Sequence, residues 1–248
     1  MFIINVVNKL AKPFGYGLIR QDTGFSELEL EIFERVAPFT MTSKARLAGV
    51  IDAVQYIVAN QIPGDIVECG VWRGGSMMAA ALMLKKLGDT SRKLHLFDTF
   101  EGMPPPSGFD LAYDGRAAQE ILDQTTRKEG PGVWAIASFE DVRKNLMGIG
   151  YPQENLRFVQ GKVEDTLPQN APASIALLRL DTDWYESTQH EMLHLYPRLS
   201  NRGVLIIDDY GHWQGSRKAV DEYFLKQSRR PFLHRLDYTG RLAIKQAD

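Results

Sequence analysis

Among the 248 residues there is one cysteine, Cys69. A disulfide framework and a thiolate zinc site are therefore both excluded within one chain. Cys69 ends the apolar run Ile66-Val-Glu-Cys69 and reads as a small core residue rather than a nucleophile. That fits a reducing, cytoplasmic setting. Neither sign of charge dominates: 29 Lys and Arg stand against 31 Asp and Glu, a formal net charge of −2. This balance gives no general pull toward nucleic acid or an anionic membrane surface, and no basic run is interleaved with aromatics as in a single-strand groove. No apolar run approaches the roughly 20 residues of a membrane span. The opening Met1-Phe-Ile-Ile-Asn-Val-Val-Asn-Lys-Leu-Ala-Lys-Pro13 is short, is interrupted by Asn5 and Asn8 and has no basic leader. It misses the secretory pattern and is expected to be an amphipathic arm, packed on the body, on a partner subunit or against a large substrate. Repeats and low-complexity tracts are absent.

What is present is alternation. A hydrophobic content of 44% suffices for a full core, and the length suits one α/β unit with elaborations. Leu47, Val50, Ile51, Val54 and Ile57 recur at helical spacing behind Thr42 and Ser43, and Pro63-Gly64 ends that helix. A strand at 66–69, a glycine turn at 70–75 and a Met- and Ala-rich helix at 76–87 follow. Then come strand 94–97, helix 138–147, strands 156–160 and 174–180, helix 185–199, strand 203–207 and helix 215–227. Residues 232–236 and 241–245 read as a hairpin across Tyr238-Thr-Gly240. Such alternation implies an α/β fold, a parallel sheet with helices on both faces, to which the hairpin adds an antiparallel strand. Residues 1–40 form an extension, and 41–248 the main domain. The turn-rich stretch 99–133, with Pro104-Pro-Pro106, is too long for an ordinary connection and suggests a lid or substrate loop.

Glycines where the first strand turns into a helix let the backbone approach a ligand. In Glu68-Cys-Gly70-Val-Trp-Arg-Gly74-Gly75-Ser76 two familiar phosphate sites fail. A dinucleotide fingerprint is broken by Trp72, and a P-loop lacks its lysine because position 75 is Gly. Asp98, ending the second strand, is placed to accept from ribose hydroxyls. A ligand with a ribose, no phosphate and a need for a close backbone is S-adenosylmethionine. The alternative is a bare glycine turn with a strand-end Asp that caps a helix.

Two further apolar runs end abruptly in acid: Leu178-Arg-Leu-Asp181-Thr-Asp183 and Val204-Leu-Ile-Ile-Asp208-Asp209. In an open parallel sheet, ligands bind outside the carboxyl ends of the strands. Neighbouring strands lie about 4.8 Å apart, so Asp181, Asp208 and Asp209 would converge. Their repulsion is relieved by a hard divalent cation such as Mg²⁺. Asp183 serves equally well as a helix N-cap. His212 is a base or substrate contact, or simply a solvated loop residue. His190 and His194, at i and i+4, lack a zincin pattern and read as a helix surface. Met77, Met78 and Met83 read as core filler.

Several motifs resemble the macrocin O-methyltransferase family, which includes enzymes of macrolide and aminocoumarin tailoring. They are Pro63-Gly-Asp-Ile-Val-Glu-Cys-Gly-Val-Trp-Arg-Gly-Gly-Ser76, Phe97-Asp-Thr-Phe-Glu-Gly-Met-Pro104, Gly161-Lys-Val-Glu-Asp-Thr-Leu-Pro168, Arg179-Leu-Asp-Thr-Asp-Trp-Tyr-Glu-Ser-Thr188 and Ile207-Asp-Asp-Tyr210, in order across residues 38–245. The resemblance implies a Rossmann-like class I methyltransferase fold with a mostly parallel seven-stranded sheet, acting with Mg²⁺ and S-adenosylmethionine on sugar hydroxyls. It places Glu68, Gly70 and Ser76 around the methionyl part of the cofactor and Asp98 on the ribose. Gly161 to Asp165, with Glu164, would lie near the adenine, and Thr40-Met-Thr42 would close over the cofactor. Asp181, Asp208 and Asp209 become the metal ligands, with Asp181 doubling as general base or handing the proton to solvent. The acceptor would be a glycosylated small molecule or glycan, and the protein a homo-oligomer. Two rivals remain: a catechol-type enzyme for small diols, and a catalytically silent binding module.

Overall fold

The computed structural model describes residues 24–246; the arm expected at 1–13 lies outside them. The described residues form one seven-stranded sheet with helices on both faces. Its strands are β1 (Asp65–Cys69), β2 (Leu94–Asp98), β3 (Leu156–Gln160), β4 (Ile175–Leu180), β5 (Leu199–Ile207), β6 (His234–Arg235) and β7 (Arg241–Ile244), in the order β3-β2-β1-β4-β5-β7-β6. The first five are parallel, and β7 runs antiparallel to both of its neighbours. The mostly parallel sheet and closing hairpin are those the sequence predicts. The chain winds outward from β1 to β3 and then crosses back to β4. A crevice opens where the winding reverses, between β1 and β4.

The period of two along each strand divides the core. Ile66, Leu94, Leu96, Val204 and Ile206 face a layer containing helices Glu27–Val36, Lys44–Ala59, Gly75–Leu87 and Phe139–Gly148. Val67, Cys69, Phe97, Leu178, Leu180, Leu205 and Ile207 face the opposite layer, which includes helices Tyr185–His194 and Gln214–Leu225. Buried Ala79, Ala80 and Ala81 keep helix Gly75–Leu87 slim where it packs on helix Lys44–Ala59. Ser43, not Thr42, caps that second helix, accepting from Arg46 N.

Two elements differ from the sequence reading. The helix expected over 185–199 stops at His194, and Tyr196–Arg198 forms a 3-10 turn around Pro197, whose missing N–H cannot continue an α-helix. The stretch 99–133 contains a short helix, Ala118–Asp123, and is anchored to the body. Asp110 accepts from Tyr185 N at 2.7 Å, capping a helix 75 residues away. Ala112, Ala118 and Leu122 pack with Trp184 and Trp213 in a satellite cluster.

Candidate active site

Sheet register brings the strand ends level. Gly70 N donates to Phe97 O, Asp181 N to Cys69 O, Asp208 N to Leu180 O and Gly161 N to Asp98 O, all at 2.8–2.9 Å. Above them lies a cavity of about 330 Å³, in the range that holds small ligands.

Backbone dominates the β1–β2 side of this cavity. Gly70 has φ +79°, and a Cβ there would stand 1.9 Å from Asp181 O, so no other residue fits without moving the neighbouring strand. Asp98 accepts from Val71 N (2.7 Å), Trp72 N (3.1 Å) and Phe100 N (2.8 Å), pinning the glycine turn. Burial raises its carboxyl above the usual range against the pull of those donors. Thr99 Oγ1 donates to it as well, at 3.5 Å, so the roughly four lone-pair sites of the carboxylate are met, and this long contact is the one a ribose hydroxyl would replace. Trp72 (φ 46°), Ala135 (φ 44°) and Asp183 (φ 65°) all line the cavity in the left-handed region, where non-glycine residues are strained and cluster at functional sites.

Charge dominates the β4–β5 side. Asp181, Asp208 and Asp209 offer oxygens within 4.8 Å of one another. This all-oxygen anionic donor set fits a hard divalent cation. Burial, with Asp181 beside it, pushes the Asp209 carboxyl up to about 7 against the pull of Arg46 and Arg179. Beneath the acids runs a chain of ion pairs. Glu68 pairs with Arg179, which also reaches Asp181 at 2.6 Å and Asp208. Arg46 holds Asp208 from the other side and Asp237 at 3.0 Å. Glu68 and Arg179 are register partners. They share one face of the sheet, one residue short of the turns that carry the chemistry.

A model of the Macrocin-O-methyltransferase (TylF) family matches residues 34–243. The chain belongs to this family. It is an S-adenosylmethionine-dependent O-methyltransferase. The 8-demethyl-8-(2,3-dimethoxy-alpha-L-rhamnosyl)-tetracenomycin-C 4'-O-methyltransferase of Streptomyces olivaceus is 40% identical over 185 residues, covering 74% of this chain and 67% of the relative. The demethyldecarbamoylnovobiocin O-methyltransferase of Streptomyces niveus is 35% identical over 187 residues, covering 75% and 68%. The solved structure of the O-methyltransferase NovP superposes with a TM-score of 0.73 at 33% identity, covering 84% of this chain and 83% of that one.

Within this macrocin-type methyltransferase the cavity gathers Thr42, Gly70, Ser76, Asp98, Glu164, Asp181, Asp208, Asp209 and His212. Thr42 lies on the carboxylate side, its hydroxyl 3.5 Å from Asp208 Oδ1. Glu164 accepts from Ser187 Oγ at 2.7 Å. His212 sits on the rim with Nδ1 3.0 Å from the Tyr238 hydroxyl and its ring against Trp213 and Tyr113.

Two expected cofactor contacts lie apart from the cavity lining. Glu68 is 1% exposed and lies below the cavity floor, paired with Arg179; strand alternation turns it into the helical layer. Asp165 is exposed outside the cavity, on the short helix Val163–Thr166. Asp183 is not the cap of the following helix, whose N-cap is Trp184. It lines the cavity instead, and burial, Asp209 and Asp181 together push its carboxyl well above the usual range. Arg179 and Arg46 were missed. The signal for Arg179 was a lone cation inside the apolar strand Ile175-Ala-Leu-Leu-Arg-Leu180, since buried charges come with partners. No membrane-spanning helix occurs among the described residues.

Proposed function

We propose that this enzyme methylates a hydroxyl on a glycosylated small molecule or glycan, with a divalent cation held by Asp181, Asp208 and Asp209. One observation carries the reading: the three carboxylates converge in the same cavity as the glycine turn and Asp98. When bound, S-adenosylmethionine supplies the methyl group and its leaving group, and the cation supplies Lewis acidity toward the acceptor hydroxyl. The chain's own residues do the rest. Gly70 lets the donor lie against the backbone, and Asp98 fixes its ribose. Asp183 receives the acceptor's proton. It lines the cavity, and its backbone N–H on Asp209 Oδ2 at 3.1 Å fixes its turn beside the carboxylates that would hold the cation. Asp181, already engaged by Arg179 at 2.6 Å, serves as a ligand.

His212, which burial keeps toward the neutral form, orients the acceptor at the rim. Tyr113 and Tyr238 stand beside it, 64% and 61% exposed. This open aromatic rim suits a bulky ring-bearing acceptor better than a small diol. A relative named for a rhamnosylated tetracenomycin points the same way.

Two assays test this reading. The first is calorimetric titration of S-adenosylhomocysteine, and the second is transfer of radiolabelled methyl onto a panel of rhamnosylated aromatic aglycones with and without chelator. Donor-product binding, transfer to the sugar and loss of transfer on chelation are expected. Transfer that survives chelation removes the cation from the account, and transfer only to small diols replaces the acceptor class.

A further inference from the structure

We propose that Glu191 is a positioning residue: by holding the Thr182 hydroxyl from behind, it fixes the shape of the Asp181–Asp183 turn. This inference rests on the reading of that turn as the chemical centre. Glu191 lies on the buried face of helix Tyr185–His194 and is 0% exposed. Its Oε1 accepts from Thr182 Oγ1 at 3.0 Å. Oε2 has no hydrogen-bond partner among the described residues. The neighbouring charges that bear on Glu191 are the acids Glu164 and Asp209.

For the core alone this is a poor choice. The adjoining Met192 and Leu195 are both fully buried, and an apolar side chain at 191 would spare the burial of a half-satisfied carboxyl. What the carboxyl does is tie the helix to the turn at the end of β4 through Thr182. The turn needs such a tie. Asp183 is held in the left-handed region, with its N–H on Asp209 Oδ2 at 3.1 Å, and Trp184 N closes back on Thr182 O at 2.7 Å. A strained backbone persists only where its surroundings over-determine it. Thr182 stands between the two aspartates, and its hydroxyl links the turn to the helix behind.

The test compares Glu191→Leu and Glu191→Gln with the wild type by thermal melting, by amide hydrogen exchange at Asp183 and Trp184, and by titration with Mn²⁺ alone. Gln keeps an acceptor for Thr182; Leu does not. Loss of the tie should speed exchange at both amides and weaken Mn²⁺ binding, each by about tenfold, the equivalent of a hydrogen bond of ordinary strength. The melting temperature of Glu191→Leu should equal or exceed that of the wild type, and Glu191→Gln should stay within about threefold of wild type in both other readings. A purely structural acid would give the reverse pattern, a lower melting temperature with site properties intact. The proposal is overturned if Glu191→Leu leaves either exchange or Mn²⁺ affinity within about twofold of wild type. Asp181→Ala separates the two failures. If neither the wild type nor Asp181→Ala takes up Mn²⁺, the reading of the site fails and takes the inference with it. If only the wild type binds and Glu191→Leu binds equally well, the positioning role alone is lost.

Discussion

The two halves of the cavity are made of different material. On the β1–β2 side the working groups are backbone, shaped by a glycine that admits no Cβ and by one aspartate that collects three N–H groups. On the β4–β5 side they are side chains, a crowd of aspartates balanced by Arg46 and Arg179. A site made of backbone fails when an atom is added. A site made of charge fails when a partner is taken away. Hence the donor side reads as a local motif, whereas the chemical side exists only after distant residues have met.

The largest break in this contrast should come from Arg179→Met. It leaves Glu68 and Asp208 buried without that cation, and losing one partner of a buried ion pair costs about 3–5 kcal/mol. Urea unfolding measures the loss, and adding Glu68→Met should return part of it. Gly70→Ala comes next. Strain at φ +79° and the clash with Asp181 O should lower stability by about 2–3 kcal/mol and weaken S-adenosylhomocysteine binding together. Asp98→Ala should reduce that binding about tenfold or more, read by calorimetry, since the turn loses its acceptor as the ribose loses its partner. Asp165→Ala should be smallest, with affinity unchanged within about twofold, because the side chain lies outside the cavity. A large effect there would restore the original expectation.

The sheet was legible because its signals are local. Apolar runs ending in Cys69, Asp98, Leu180 and Ile207 mark strands, and helical spacing at Leu47 to Ile57 marks the helix between breaks. The convergence of Asp181, Asp208 and Asp209 followed from strand ends alone. Other features depend on which way a side chain turns or on what the fold brings near. Glu68 and Gly70 are two residues apart, yet one goes under the floor and the other lines it. Asp183 looks like a helix cap in sequence, but Asp110 takes over that work from 75 positions away, freeing Asp183 for the cavity. Helix Ala118–Asp123 is six residues long, too short to show its period within a turn-rich stretch. Glu191 reads as an ordinary polar helix residue until its face is known.

The central claim is that the three carboxylates hold a cation beside the donor. Anomalous diffraction from crystals of the wild-type enzyme soaked in Mn²⁺ with S-adenosylhomocysteine tests it most directly. The account predicts one strong peak, roughly 2.0–2.6 Å from carboxylate oxygens of Asp181, Asp208 and Asp209, the range of hard divalent cations. No peak there, with Arg46 still seated on Asp208, would contradict it.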